Sequence, residues 1–248
     1  MNRFSLRPLL LPLVLVLFNH PAWAAPASRQ GSTIKFSGYT WQVIESAVLR
    51  GPGPNIFSRA NVRLDERGRL VLETSRAAGS WTSAHVFLTK SLGYGRYELV
   101  LAPLEKPLDD LTVFGFFTWD DNPAYANREI DIELARWALP KAPNLNCTVQ
   151  PSADRPDRSG LAEFDFSGTT TLAFVWEPGI VRFSAESDTG SFYWEYPAAG
   201  TRPPVPFGAP PKGRERVGLN LWLFQGRAPE SADRVFIESF SFSPLAKP

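Results

Sequence analysis

The most constraining feature of this chain is its hydrophobic pattern. No stretch has a sustained apolar repeat of 3.6 residues, whereas short alternating or continuous apolar runs recur, bounded by Gly, Pro, Asn or Asp. The clearest of these runs predict β-strands at residues 69–74, 95–102, 112–119, 128–134, 146–150, 170–176, 180–185, 191–196, 217–224 and 235–243. So many short strands do not fit one flat sheet, and two stacked antiparallel sheets are the ordinary solution. We therefore predict an all-β sandwich.

The first residues have the pattern of an export signal. Two arginines precede an apolar stretch at residues 9–18, and a small-residue Ala-Trp-Ala pattern ends at Ala24. The apolar stretch is well short of the roughly 20 residues that span a bilayer, so we expect no membrane span. We predict a signal peptide at residues 1–24, and a secreted or periplasmic location after its removal. Residues 25–248 are then sufficient for one domain with its own core.

Composition narrows the classes of function. Cys147 is the only cysteine, so no intrachain disulfide forms, and we expect it to be a small buried residue. The net charge is +1, and the charges are interleaved, which is not typical of a nucleic-acid-binding protein. We therefore expect no nucleic-acid partner and a neutral or weakly charged ligand. The 8 Trp and 18 Phe suit both a sandwich core and stacking on sugar rings.

An acidic run stands out in the predicted strand at residues 128–134. Successive side chains of a strand point to opposite faces, so Glu129, Asp131 and Glu133 share one face, and the isoleucines between them share the other. No Lys or Arg lies within the row to neutralise it. Three explanations stay open: a solvated face whose acids meet basic residues on neighbouring strands, a site for a hard cation such as calcium, or the carboxyl pair of a glycoside hydrolase.

The hydrolase explanation sets a geometric requirement. Retaining glycosidases hold two carboxyl groups about 5 to 5.5 Å apart across the scissile bond. The α-carbons of Glu129 and Glu133 are about 13 Å apart at roughly 3.3 Å per residue, so long side chains on a curved sheet must close the gap. Asp131 lies between them, where it can hydrogen-bond one glutamate. Clustering should also raise the proton affinity of one glutamate, as a general acid requires.

The acidic run and several further segments resemble glycoside hydrolase family 16, the laminarinase, lichenase and xyloglucan-transferase group. The signature of this family is Glu-x-Asp-x-Glu, or a version with one extra residue. The resemblance covers about residues 55–242, and its landmarks are residues 55–62, 68–72, 83–86, 93–98, 114–119, 176–180 and 219–222. Two features depart from the family: no histidine follows Glu133, and the segment before Trp176 lacks the histidine or tyrosine often found there.

The resemblance implies a jelly-roll, concanavalin A-like sandwich with a substrate cleft across its concave sheet. It also implies a retaining double-displacement mechanism in which Glu129 is the nucleophile, Asp131 its helper and Glu133 the general acid and base. Because the signature has no inserted residue, it is more similar to the lichenase and xyloglucan-acting branches. Asn146 resembles an asparagine of those branches, and we include it among the predicted substrate-binding residues.

Four more residues are predicted to bind substrate because of where they lie on a strand or just after one. Trp119 lies on the opposite face from the phenylalanines expected in the core, and Asn220 and Trp222 lie opposite the leucines of their strand. Trp137 follows the acidic strand at a position suited to a cleft rim. Core packing is the alternative for each of these tryptophans, because large aromatic side chains are as common in cores as at binding surfaces.

The sequence thus predicts a monomeric, exported enzyme that cleaves internal β-1,3 or β-1,4 glycosidic bonds of a polysaccharide. We expect no required cofactor and predict no metal ligand; a structural calcium ion is not indicated. A transglycosylase would use the same glutamates, with a sugar hydroxyl replacing water. A lectin-like binding sandwich would need the aromatic residues but no paired acids. An adhesion protein would need an exposed apolar patch, which a sequence does not reveal.

Overall fold

The computed structural model describes residues 32–153, 155–200 and 208–246. The predicted signal peptide at residues 1–24 lies outside these segments, as does the start of the predicted domain. Within them, no helix has the length and hydropathy that crossing a membrane requires.

The described residues form an almost entirely β structure. The strands are β1 (Thr33–Phe36), β2 (Tyr39–Val43), β3 (Val62–Leu64), β4 (Leu70–Glu73), β5 (Ser75–Ala77), β6 (Ser80–Thr82), β7 (Ala84–Leu88), β8 (Gly95–Leu101), β9 (Thr112–Trp119), β10 (Ile130–Leu134), β11 (Leu145–Val149), β12 (Ser159–Ala162), β13 (Thr170–Glu177), β14 (Ile180–Glu186), β15 (Ser191–Tyr196), β16 (Arg216–Leu223) and β17 (Arg234–Pro244). Short 3-10 helices occur at Arg59–Asn61, Pro123–Arg128, Pro156–Arg158 and Phe224–Gly226.

Two large antiparallel sheets form the sandwich that the hydrophobic pattern predicts. The first sheet has the order β1-β2-β7-β16-β9-β10-β11-β12, and the second has the order β15-β14-β13-β8-β17-β4-β3. Strands β5 and β6 form a separate hairpin. Each predicted run overlaps an observed strand whose ends differ from the prediction by no more than two residues. The predicted all-β, two-sheet fold is therefore confirmed.

The main core lies between the two sheets. Phe116 on β9 and Phe174 on β13 meet there with ring centroids 5.2 Å apart, and Tyr97 on β8 stacks on Phe174 at 4.6 Å. Cys147 is buried in the same core, as we expect for the only cysteine in the sequence. Apolar burial of this extent contributes about 25 cal/mol per Å² and is the main force that holds the sheets together.

The first sheet also carries aromatic residues on its outer face, the face turned away from the second sheet. Phe57, Phe87, Phe117, Trp222 and Phe224 form a second apolar cluster there, with Trp119 and Trp137 packed against it. Since Phe87, Phe117 and Trp222 alternate with core residues along β7, β9 and β16, the sheet has two hydrophobic faces. The acidic run of β10 lies on this outer face.

Candidate active site

Strand β10 separates its side chains as the sequence pattern predicts. Ile130 and Ile132 are 0% exposed in the core between the sheets, which places Asp131 and Glu133 on the outer face. Asp131 pairs in register with Phe117 on β9 and with Thr148 on β11. One step along, Glu133 pairs with Gly115 on β9 and with Asn146 on β11. The acidic row is therefore enclosed by strands on both sides.

Glu129 stands immediately before β10 and has its own backbone support. The hydroxyl of Thr118 donates to the carbonyl oxygen of Arg128 at 2.7 Å and accepts from the amide of Ile130 at 3.2 Å. The amide of Gln150 donates to the carbonyl oxygen of Glu129 at 3.0 Å. These bonds continue the sheet through a residue that regular strand pairing does not include, and they fix the direction of the Glu129 side chain.

The residues just before Glu129 have an unusual conformation. Ala126, Asn127 and Arg128 have φ values of 47°, 58° and 50°, in the left-handed region that non-glycine residues rarely adopt. Such a conformation costs free energy and persists where surrounding contacts impose it. The buried Arg128 supplies such contacts, because its Nη1 donates to Asp120 Oδ2 at 2.5 Å and its Nε donates to the carbonyl oxygen of Pro211 at 2.8 Å.

The three acids are electrostatically coupled. Burial raises the pKa of Glu129 well above its ordinary value, and the nearby carboxylates of Asp131 and Glu133 raise it further. Burial, followed by the charge of Asp131, also raises the pKa of Glu133. Burial raises the pKa of Asp131 to about 7, against a hydrogen bond from Gln150 Nε2 at 3.3 Å that lowers it. The row therefore retains protons toward neutral pH, which allows a carboxylic acid and a carboxylate to stand side by side.

Basic neighbours do not neutralise this row. The cross-strand partners of Asp131 and Glu133 are Phe117, Thr148, Gly115 and Asn146, none of which is charged. Within the described segments, every salt bridge is made by acids outside the row. A solvated strand face with paired charges does not describe this arrangement.

Trp119 and Asn220 share the outer face with the acids. Trp119 is half-buried, and its indole Nε1 donates to Asp121 Oδ1 at 3.0 Å, which orients the ring. Asn220 on β16 pairs with Gly115, the same residue that pairs with Glu133 on the other side. A side chain at Gly115 would begin 2.5 Å from Asn220 Oδ1, so the amide leans across the glycine toward the strand of Glu133. Among the described residues, Asn220 Oδ1 has no hydrogen-bond partner.

Asn146, Trp137 and Trp222 lie near the Glu133 end of the row. Asn146 Oδ1 accepts from Trp137 Nε1 at 3.2 Å, and Asn146 Nδ2 donates to the carbonyl oxygen of Ala135 at 3.0 Å. Asn146 thus connects the end of β10 to the indole of Trp137. Trp222 is 2% exposed, with its ring 6.2 Å from that of Trp137. Asn146 pairs in register with Glu133 and links it to the two tryptophans, and contact between these three residues and substrate stays a prediction.

His85 and Phe87 also lie on the outer face, and the sequence did not lead us to predict either of them as a site residue. His85 on β7 lies 4.5 Å from Phe87 and 5.8 Å from Phe117, measured between ring centroids. Burial, together with the charges of Arg50 and Arg216, lowers the pKa of His85 to about 3, so the imidazole is neutral at physiological pH. The run Ala84–Leu88 alternates in the way that would have placed His85 and Phe87 opposite Ala84 and Val86, had it been read as a strand.

Within residues 32–153, 155–200 and 208–246, no group of three or more His, Cys, Asp or Glu side chains is arranged to hold a metal ion. The expectation that no cofactor is required and the calcium alternative both stay untested.

Comparison with known proteins extends these observations. No protein-family model matches the chain, and no curated protein matches it in sequence. Solved structures do match. The Bacillus licheniformis β-glucanase is 16% identical with a TM-score of 0.60, over 87% of this chain and 99% of that chain. The Rhodothermus marinus laminarinase is 18% identical with a TM-score of 0.57, over 82% and 90%. A family 16 endo-glucanase from Bacteroides ovatus is 13% identical with a TM-score of 0.56, over 82% and 94%. At these identities the likeness concerns the fold: this chain has the jelly-roll sandwich of glycoside hydrolase family 16.

Proposed function

We propose that this chain is an exported glycoside hydrolase that cleaves internal β-1,3 or β-1,4 bonds of a polysaccharide with retention of configuration. The observation that carries the proposal is the row of three coupled acids on the outer face of the first sheet, next to aromatic side chains. Asp131 is buried and Glu129 and Glu133 are half-buried, and acids so placed without basic partners destabilise a fold, so their presence is better explained by catalysis than by stability. The β-glucanases and laminarinase that share the fold support the choice of polysaccharide.

In the first step, the carboxylate of Glu129 attacks the anomeric carbon, and the protonated Glu133 donates its proton to the departing glycosidic oxygen. A covalent glycosyl-enzyme forms and the first product leaves. In the second step, Glu133 removes a proton from water, whose oxygen attacks the anomeric carbon and releases Glu129 as a carboxylate. Asp131 lies between the two glutamates, where it can hold one of them by a hydrogen bond.

Sugar recognition is assigned to the residues around the row. Trp119 and Trp137 present half-buried indoles suited to stacking on sugar rings. Asn220 is buried and leans toward Glu133, with an acceptor that has no partner among the described residues, and we assign it to recognition on that ground. Asn146 supports Trp137 through its hydrogen bond. Trp222 packs against Trp137. The enzyme acts as a monomer and requires no cofactor in this proposal.

The test is reducing-sugar release from lichenan, laminarin, xyloglucan, agarose and carrageenan. We expect release from at least one polymer, and a loss of about 10²- to 10⁴-fold in both Glu129→Gln and Glu133→Gln. Glu186→Gln, an exposed glutamate on β14, is the matched control and should retain full activity. Tight binding without release by the wild type would favour a lectin-like protein. Longer products formed in the presence of an acceptor sugar would instead indicate a transglycosylase.

A further inference from the structure

Arg216 lies on the same outer face as the acids. It is the first residue of β16, where Val217 and Leu219 point into the core, so its side chain points outward. It pairs in register with Trp119 on β9, the strand next to β10. At about 4.8 Å per strand, Arg216 is roughly 10 Å from the strand that carries Glu129. A sugar ring that stacks on Trp119 would place its substituents beside Arg216.

The guanidinium group is held in place by an aromatic ring and an amide rather than by a carboxylate. Arg216 Cζ lies 5.0 Å from the centroid of the Phe87 ring, and Nη1 donates to Gln42 Oε1 at 3.4 Å. Among the described residues, no carboxylate lies within salt-bridge distance of Arg216, although eight other arginines have one: Arg63, Arg69, Arg96, Arg128, Arg136, Arg155, Arg182 and Arg234. Stacking on an aromatic ring leaves the in-plane N–H groups of arginine available to a planar or tetrahedral anion.

The acids closest in sequence to Arg216 and Trp119 are engaged elsewhere. Glu215 accepts from the amide of Gly213 at 2.6 Å and from Ser91 Oγ at 3.0 Å. Asp120 pairs with Arg128, and Asp121 accepts from the indole of Trp119. The residues just before β16 at this end of the first sheet include two further cations, Lys212 and Arg214, both exposed.

Arg216 is also not the counterion of the catalytic row. The pKa values of Glu129 and Glu133 are raised by burial and by neighbouring carboxylates, whereas a nearby cation would lower them. The guanidinium group therefore has no carboxylate partner among the described residues. Arg216 lies beside Trp119, which we predict to stack on a sugar ring, and this location points to a ligand.

We propose that Arg216 forms an anion subsite, assisted by Gln42, that binds a carboxylate or sulfate group on the sugar unit stacked on Trp119. The inference rests on the proposed function and narrows its substrate to an anionic β-linked polysaccharide. Arginine suits this role because its fork of N–H donors binds both carboxylates and sulfates in a bidentate manner. The aromatic surface of Phe87 beneath the guanidinium reduces competition from water on one side.

Binding, measured in the Glu129→Gln background, tests the subsite without turnover. Two matched polymer pairs serve as probes: κ-carrageenan with its desulfated form, and hyaluronan with its carboxyl-reduced form. We expect at least one anionic polymer to bind about tenfold more tightly than its neutral counterpart, and Arg216→Gln to abolish that preference. Arg216→Lys should retain part of it. The pair that shows the preference identifies the anion as sulfate or carboxylate.

Arg76→Gln is the matched control, because Arg76 is exposed on the β5–β6 hairpin and its removal changes the net charge equally. This variant should retain the preference for the anionic polymer. Equal affinity for both members of each pair, or a preference that persists in Arg216→Gln, would overturn the inference. If the preference depends on Arg216 but the wild type releases no sugar from any polymer, the hydrolase proposal fails and the anion subsite stands.

Discussion

The hydroxyl of Thr118 lies 2.7 Å from the carbonyl oxygen of Arg128 and donates a hydrogen bond to it. The same hydroxyl accepts from the amide of Ile130, so one fully buried side chain on β9 holds both residues that flank Glu129. The proposed nucleophile thus stands between two backbone groups anchored to a single oxygen. This arrangement makes Thr118 a positioning residue for Glu129.

Replacing Thr118 by valine tests this relationship, because valine has a similar shape but no hydroxyl. We expect kcat to fall by at least tenfold with KM little changed, and the free energy of unfolding to fall by about 1 to 3 kcal/mol as buried polar groups lose their partner. Thr118→Ser, which keeps the hydroxyl, should retain most of the activity. Steady-state kinetics and urea unfolding measure both effects. Unchanged kcat in a folded Thr118→Val protein would exclude the positioning role.

The ion pair between Asp120 and Arg128 provides a second prediction. Both side chains are less than a tenth exposed, and the pair holds the left-handed turn that leads into Glu129. Asp120→Asn leaves the guanidinium buried without its counterion, so we expect a loss of roughly 3 to 5 kcal/mol in unfolding free energy. Asp121→Asn, at the exposed neighbouring position, should change it by about 0.5 kcal/mol or less. Thermal and urea unfolding of the two variants provide the comparison, and equal losses would contradict this role for the pair.

Strand periodicity was sufficient to predict the acidic row. It placed Glu129, Asp131 and Glu133 on one face and the intervening isoleucines in the core, and the 0% exposure of Ile130 and Ile132 confirms the inward half of that pattern. The predicted start of this strand was two residues too early. Residues 126–128 adopt positive φ values because contacts from distant parts of the chain impose them, and no local propensity signals such contacts.

Long-range contacts explain the other differences. Residues 151–159 contain several charges and two prolines, a composition that predicts an exposed loop. In the structure Arg158 is 1% exposed and donates to the carbonyl oxygens of Val149 and Gln150 and to the hydroxyl of Tyr196. The net charge of +1 led to the expectation of a neutral or weakly charged ligand, which stays a prediction. A whole-chain sum does not show which arginines lack a carboxylate partner, since that depends on which side chains meet in space.

The close approach of Gly115 and Asn220 gives a third prediction. Alanine at position 115 would place its β-carbon 2.5 Å from Asn220 Oδ1, so the amide must move away from the acidic row. We expect Gly115→Ala to raise KM severalfold and to destabilise the protein by about 1 to 3 kcal/mol. Gly190→Ala is the control, because nothing lies within 4 Å of a β-carbon there. If Gly115→Ala binds and turns over substrate as well as the control does, Asn220 has no part in recognition.

The protonation of Asp131 provides the last prediction. Its pKa is about 7 in the folded protein against an ordinary value of 3.8, so the folded state binds the proton more tightly than the unfolded state. Its contribution to stability is therefore fully present below about pH 4 and is lost as the pH rises through about 7. The raised pKa values of Glu129 and Glu133 likewise make the folded protein lose stability as the pH rises. We expect the free energy of unfolding, measured in urea between pH 4 and pH 8, to decline less steeply in Asp131→Asn than in the wild type. Parallel curves for the two proteins would show that Asp131 is already ionised in the fold, and the mechanism would then need another explanation for the proton on Glu133.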